Sequence, residues 1–393
     1  MKWYMTHQAL LAAGLIGVLF AAANSVGIAQ QFANKEPVAT PGDQPNDPGP
    51  LATNISSAVH ARQIRAAMRR VADWQLQRIQ AQPLSRSWEY GVLDVGLMAA
   101  SRTLGDPRYG QYVASVGKKH NWALERTPYP ANDYAVAQAF LDAYRSSHKE
   151  DEIVPLRRQF DADMQLPDDP ARPAWWWCDA LFMEPGAGAE LAQLTGDPKY
   201  AQYIDREWEI AEKLLYDPQK HLFSRDASFL DRHEKNGEKI FWSRGNGWVM
   251  GGIVRILETL PANDPFRSHY VELLQQMSAE IASIQGRDGL WRPGLLDAEN
   301  YPLPEISGSA FFTYAIAWGI NHHILDAKIY RPVVEKAWRG MLTQIYADGR
   351  LGCIQQLGDS PAPYQASASY VYGVGAFLLA GSELDGMSQH LRQ

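Results

Sequence analysis

The chain has 393 residues, 46% of them hydrophobic and 11% aromatic, enough apolar mass for a large core and far from the composition of a disordered chain. Its 37 Lys+Arg stand against 44 Asp+Glu, a balance that argues against a nucleic-acid partner. Two cysteines, Cys178 and Cys353, are too few for a disulfide framework, and two separate buried thiols are expected.

At the N-terminus Lys2 precedes an apolar run from Ala9 to Ala23 and then small residues. The run is too short to span a membrane and has the layout of a secretory signal cut after Ala29, with export to a periplasm and no membrane contact afterwards. Residues 30–57, rich in Pro, Gly, Gln and Asn, offer little to bury and are expected to form a flexible tether. The folded domain then covers 58–393.

Two stretches nearly repeat, "TLGDPRYGQYV" at 103–113 and "LTGDPKYAQYI" at 194–204, with a weaker copy, "NDPFRSHYVELL", at 263–274. In the first two, Gly can end one helix in a left-handed cap, Asp can cap the next, and Pro suits its first turn. Each is therefore a helical hairpin. The patterns predict outer amphipathic helices at 59–81, 107–118, 151–165, 198–215, 265–284 and 330–346. They predict inner helices at 88–103, 133–147, 177–194, 244–259, 307–325 and 367–382. The inner set carries glycines, each of which costs about 1 kcal/mol in a helix and suggests close packing on several sides. Six inner and six outer segments fit an all-α (α/α)6 barrel, a toroid of hairpins, although an open solenoid has the same pattern.

The unusual residues gather just before the inner helices, in "SWEYG", "ANDYA", "WWWCD", "FWSRGNGW", "EISGSAFF" and "SASYVYG". One mouth of the toroid therefore collects aromatic and acidic side chains beside free helix N-termini. Asp179, close to Trp177 and one turn before Met183, would be a desolvated carboxyl with a raised pKa, able to act as an acid near neutrality. The alternative is a helix N-cap carboxylate. Asp133 has the same two readings. Arg244 and Trp248, four residues apart, would share a helix face as a guanidinium beside an aromatic plate, or Arg244 would simply pair with a structural acid. The adjacent His322 and His323 point apart on a helix, and no zinc motif or serine elbow is present, so neither a metal nor a cofactor is expected.

The ordered strings "WWWCDALFM", "TGDPKY", "FSRDASF", "FWSRGNGWV", "GLWRPGLLD", "EISGSAFFTYAIAWGIN" and "YGVGAFLLAGSE" resemble the unsaturated glucuronyl and rhamnogalacturonyl hydrolases, glycoside hydrolase families 88 and 105, and more closely 105. The likeness runs from about residue 60 to the C-terminus. It implies an (α/α)6 barrel acting on oligosaccharides left by polysaccharide lyases, whose terminal uronyl ring carries a C4=C5 double bond. It further implies that Asp179 protonates C4 and activates water, that Asp133 tunes it, and that Trp177 and Met183 shape the wall. Arg244 would address the uronate carboxylate and Trp248 would stack on a ring, with Trp88 and Tyr90 as further substrate contacts. Where several members have a histidine, "FSRDASF" has Arg225 and Asp226 instead, a departure from the family's water-positioning stretch that points to a different substrate, with Arg225 among the expected substrate contacts. The rival classes are a polysaccharide lyase on a similar toroid and a non-catalytic exported carbohydrate-binding protein.

Overall fold

Glycine at φ +61 and +69 ends two helices at Gly105 and Gly196, and the aspartate that follows accepts from the backbone N–H two residues on, Arg108 at 3.2 Å and Lys199 at 3.1 Å. The repeated motif thus stops one helix and starts the next, as its local chemistry requires. The computed structural model describes residues 38–166 and 173–390, and from Thr40 onward these form one unit. The expected signal at 1–29 lies outside the described residues.

Helices alternate along the chain. Outer α1 (Ala61–Gln80) precedes inner α2 (Trp88–Leu104), and outer α3 (Pro107–Lys119) is followed by a short α4 (Pro130–Asp133) that leads into inner α5 (Ala135–Ser147). Outer α6 (Glu150–Asp163) precedes a broken inner pair, α7 (Ala180–Met183) and α8 (Pro185–Thr195), and then outer α9 (Lys199–Leu215). The last hairpins are inner α10 (Ser243–Leu257) and outer α11 (Arg267–Ser283), inner α12 (Ile306–Asn321) and outer α13 (Ala327–Leu342), and finally inner α14 (Val371–His390). The inner helix expected at 177–194 is split because Pro185 has no N–H to continue the ladder. The one expected at 133–147 breaks at Tyr134.

Inner helices pack in the order α2, α5, α8, α10, α12, α14, and α14 returns to α2. The ring is closed, which removes the open solenoid. Every residue of α10 is buried, as is Ile306–Ile320 of α12, whereas α3 buries a single stripe of Tyr109, Tyr112, Val113, Val116 and Gly117. A helix apolar all round belongs inside; one with a stripe belongs outside. Glycine makes two of the contacts possible: a Cβ on Gly96 would lie 2.4 Å from the Gly375 carbonyl oxygen, and one on Gly252 would lie 1.8 Å from that of Leu181.

The expected tether is corrected from Thr40 onward. Gly42–Asp43 (β1) pairs antiparallel with Ser369–Tyr370 (β4), and Leu51 bridges Tyr346. Between them in sequence, β2 (Tyr216–Asp217) pairs with β3 (Leu222–Phe223). Residues 40–57 stay mostly exposed or half-buried and are held by backbone pairing and ion pairs, interactions that a reading of apolar content misses.

Candidate active site

The N-terminal ends of five inner segments meet through their aromatic rings. Trp248 of α10 lies 4.6 Å from Phe311 of α12, 5.2 Å from Phe182 of α7, 6.2 Å from Trp88 of α2 and 6.3 Å from Tyr372 of α14, centroid to centroid. These rings floor the mouth that the sequence placed before the inner helices. A floor of this kind excludes water and lowers the local dielectric above it.

Two acids at the mouth have opposite fates. Glu305 is a saturated cap: its carboxylate accepts from Ser307 N at 3.2 Å, Gly308 N at 2.6 Å, Ser307 Oγ at 2.7 Å and Gln355 N at 3.2 Å. Asp179 stands at the start of α7 in αR conformation and its side chain takes no cap hydrogen bond, which removes the N-cap alternative. Its near contacts are the Cys178 thiol, with Sγ 3.5 Å from Oδ2, and Arg225 Nε at 3.8 Å. Burial pushes the Asp179 carboxyl above its ordinary value, while Arg225 and Arg244 partly offset the rise. The side chain keeps 12% of its exposure, so it is open to a ligand.

Arg225 reaches this position because the two unusual strings pair. Trp177 bridges Asp226, and Cys178 N donates to the Arg225 carbonyl at 2.8 Å. Asp226 holds the guanidinium through Nη1 at 2.6 Å and also caps the short turn Ala227–Phe229 by accepting from Ser228 N at 2.8 Å. The Arg225 guanidinium lies over the half-buried Trp176 ring at 5.4 Å, and its Nε is buried without a hydrogen-bond partner. The Nε therefore faces Asp179 as an ion pair at 3.8 Å and acts on that carboxyl through its charge rather than through a hydrogen bond.

Asp133 is buried at the end of α4 and accepts from Thr127 N at 2.8 Å, so it fastens the approach to α4 rather than capping α5. Burial raises its carboxyl, and its strongest like-charge neighbours are Glu125 and Asp163 rather than Asp179. The α4 and α7 segments do pack together, which brings the two acids to one side of the mouth.

Several expected sugar contacts are enclosed. Met183, Arg244 and Trp248 are each at most 1% exposed and stand behind the mouth surface. Arg244 donates from Nη1 to the Gln355 carbonyl at 2.8 Å and from Nη2 to that of Gln356 at 2.9 Å, and its guanidinium lies over the Trp242 and Tyr372 rings. With both amino groups engaged on backbone, it fastens the 355–356 loop instead of presenting a fork to a carboxylate. Tyr90, also buried, donates to the Thr40 carbonyl at 2.9 Å and so holds the N-terminal segment. Trp177 is 3% exposed and packs against Trp176 and Tyr129. Trp88, Trp176, Tyr129, Asp179 and Arg225 keep accessible surface.

Sequence reasoning missed Tyr372, whose ring stacks on Trp88 at 5.7 Å, although "SASYVYG" was among the singled-out strings. It also missed the Cys178 thiol as a neighbour of Asp179, and no pattern marked Gln355 or Gln356. Among the described residues no group of three or more His, Cys, Asp or Glu is arranged to hold a metal ion.

Residues 61–387 match the family model described as Glycosyl Hydrolase Family 88. The chain is 34% identical over 344 residues to an unsaturated 3S-rhamnoglycuronyl hydrolase of Formosa agariphila, covering 82% of this chain and 90% of the relative. A solved structure of a family 88 glycosyl hydrolase from Bacteroides vulgatus superposes with a TM-score of 0.76 at 30% identity, over 82% of this chain and 98% of that one. Another, named a polysaccharide lyase, also has a TM-score of 0.76, at 28% identity over 85% and 98%. With the family match spanning the whole ring of helices, from α1 into α14, the chain belongs to glycosyl hydrolase family 88.

Proposed function

We propose that this glycoside hydrolase removes the terminal 4,5-unsaturated uronic acid from oligosaccharides produced by polysaccharide lyases, and that Asp179 is its acid and base. One observation carries the assignment: at an aromatic mouth, Asp179 is the acid that is raised by burial, uncapped, and still open to a ligand. The protonated carboxyl donates its proton to C4, leaving positive charge shared between C5 and the ring oxygen. Water then adds at C5 and gives its proton to the Asp179 carboxylate, which restores the acid. The resulting hemiketal opens to a C5 ketone and a C1 hemiacetal, which collapses to an aldehyde and releases the remaining saccharide as an alcohol, so the anomeric carbon is never attacked and the separation of two carboxylates does not govern the outcome.

Arg225 acts beside it. Its partly exposed guanidinium attracts the uronate carboxylate, while its charge, 3.8 Å from Asp179, keeps that carboxylate from becoming too basic to release its proton again. Trp88 and Trp176 offer ring faces to the sugar. Asp133 fastens the Thr127 approach to the end of α4. The relatives named for rhamnoglycuronyl substrates make an unsaturated uronyl–rhamnose disaccharide the first compound to try.

The test is ultraviolet absorbance of the conjugated double bond. A lyase digest incubated with the enzyme loses absorbance, and Asp179→Asn abolishes the loss. The second reading, a polysaccharide lyase, is favoured by the solved structure bearing that name. It requires absorbance to rise with intact polysaccharide, whereas a binding protein would leave it flat in both cases. The apolar run and the small residues up to Ala29 support export to a periplasm, tested by whether the mature protein begins at Gln30.

A further inference from the structure

Residues 40–45 bury little apolar area, yet they are fastened at nearly every residue. Thr40 N donates to Gln82 Oε1 at 2.7 Å while its carbonyl accepts from the Tyr90 hydroxyl at 2.9 Å. The Pro41 carbonyl accepts from Val371 N at 2.8 Å, and Gly42–Asp43 pairs with Ser369–Tyr370. Asp43 joins Arg78 at 2.7 Å and Arg350 at 2.5 Å, and the Pro45 carbonyl accepts from Ser367 Oγ at 2.6 Å. Since the core gains almost nothing from this segment, its fastening calls for another explanation.

Gly42 supplies one, because it lies directly against the ring of Tyr370. A Cβ at this position would fall 2.4 Å from Tyr370 Cδ1 and 2.4 Å from the Ser369 carbonyl oxygen, so only glycine fits. Tyr370 stacks on Tyr372 at 5.8 Å and 19°, and Tyr372 stacks on Trp88 at 5.7 Å and 19°. The column therefore runs from the backbone of Gly42 through two tyrosines to the half-buried indole at the mouth. Its middle ring is also tied to the site, since the Tyr372 hydroxyl donates to the Gln355 carbonyl at 2.5 Å and the Arg244 guanidinium lies over the ring at 4.9 Å.

We infer that residues 40–45 are a positioning strap for substrate binding: the segment between the exported leader and the first helix sets the stack Tyr370–Tyr372–Trp88 and thereby the plane that Trp88 offers to the sugar. The inference rests on the proposed sugar site at the mouth. The strap touches no reacting atom, so it governs how well the substrate is seated and not how fast Asp179 transfers its proton.

The full-length enzyme and Gly42→Val are compared on an unsaturated uronyl disaccharide by loss of absorbance, with Asp43→Asn as a second variant that loosens the strap without adding atoms. Loss of a well-placed stacking ring raises KM about tenfold and leaves kcat within about a factor of two. In a Trp88→Ala background the same strap substitutions leave KM unchanged, because the ring they act through is gone. Unchanged KM in both strap variants, or an equal rise with Trp88 absent, overturns the inference. An inactive wild type on every unsaturated disaccharide would instead overturn the proposed substrate, a result distinguishable from either.

Discussion

The toroid buries acids at both ends of its inner helices, and treats them differently. At the end away from the mouth, Arg255 of α10 donates to Glu258 at 2.6 Å and to Gln138 at 2.9 Å and lies 3.9 Å from both Asp142 and Glu190. Arg145 also pairs with Glu190, Arg102 pairs with Asp142 at 3.3 Å, and the Tyr314 hydroxyl donates to Glu258 at 3.2 Å. At the mouth, Asp179 accepts one weak hydrogen bond from the Cys178 thiol at 3.5 Å and has one guanidinium nitrogen at 3.8 Å, beyond hydrogen-bond reach. A raised pKa alone does not separate the two regions, since burial also lifts Glu190, lifts Glu184 to about 8 although it accepts from Trp175 Nε1, and lifts the sealed Asp94. The separating quantity is close pairing: Glu258, Glu190 and Asp142 each have an arginine nitrogen at 3.3 Å or less, whereas the nearest to Asp179 is the Arg225 Nε at 3.8 Å.

Substituting one acid or base from each region breaks the comparison most directly. Asp179→Asn keeps the shape and removes the proton, so kcat falls by roughly a hundred- to ten-thousand-fold. Thermal melting should be unchanged or slightly higher: a carboxyl whose folded pKa is raised costs stability once pH exceeds its unfolded value, and the amide has no such cost. Arg255→Met should do the reverse. It removes the shared cation from the buried Asp142 and Glu190, leaving them only the half-exposed Arg102 and Arg145, and destabilises by about 3–5 kcal/mol in urea unfolding, while the folded fraction keeps its kcat. A catalytic loss in Arg255→Met larger than its loss of folded protein would merge the two regions.

A smaller change sharpens the same contrast. Arg225→Met removes the cation that holds the Asp179 carboxyl down, so its pKa rises further. With Asp179 as the proposed acid, activity is lost as pH climbs through that pKa, and the alkaline limb of the kcat profile is expected to move to higher pH. Loss of the guanidinium beside the uronate lowers kcat/KM by about tenfold at the optimum. An unmoved alkaline limb would remove Arg225 from the electrostatics of Asp179.

What the sequence disclosed follows the range of the interactions involved. Gly105–Asp106–Pro107 and Gly196–Asp197–Pro198 were readable because cap, carboxylate and ring act within a few residues. Six hairpins and the location of the mouth followed from periodicity. Asp179 was readable as a candidate, but setting aside the cap reading needed its backbone angles and its missing cap bond. Arg244 and Trp248 do share α10, yet the partners of Arg244 are two backbone carbonyls in a loop that no spacing announces. Composition is a poor guide to residues 40–57 for the same reason: Asp43 pairs with Arg350 and Arg78, far away in sequence, which local composition cannot reveal.

Asp43 also provides the smallest of these effects, and the one that separates strap from core. Burial pushes its carboxyl up, but Arg350 and Arg78 outweigh burial and leave it below the ordinary value. A depressed folded pKa means that the pairing contributes stability above the unfolded value of 3.8 and loses it as pH falls through the lower folded value. Because the Asp43 side chain is 41% exposed, solvent screening holds the contribution to about 0.2–1 kcal/mol. Asp43→Asn should therefore lower stability slightly at neutral pH and converge with wild type in acid, read from melting temperature across pH. Its KM for the disaccharide should rise over the same neutral range where its melting temperature hardly moves. A strap that merely stabilised the fold would move both together, and a tether would move neither.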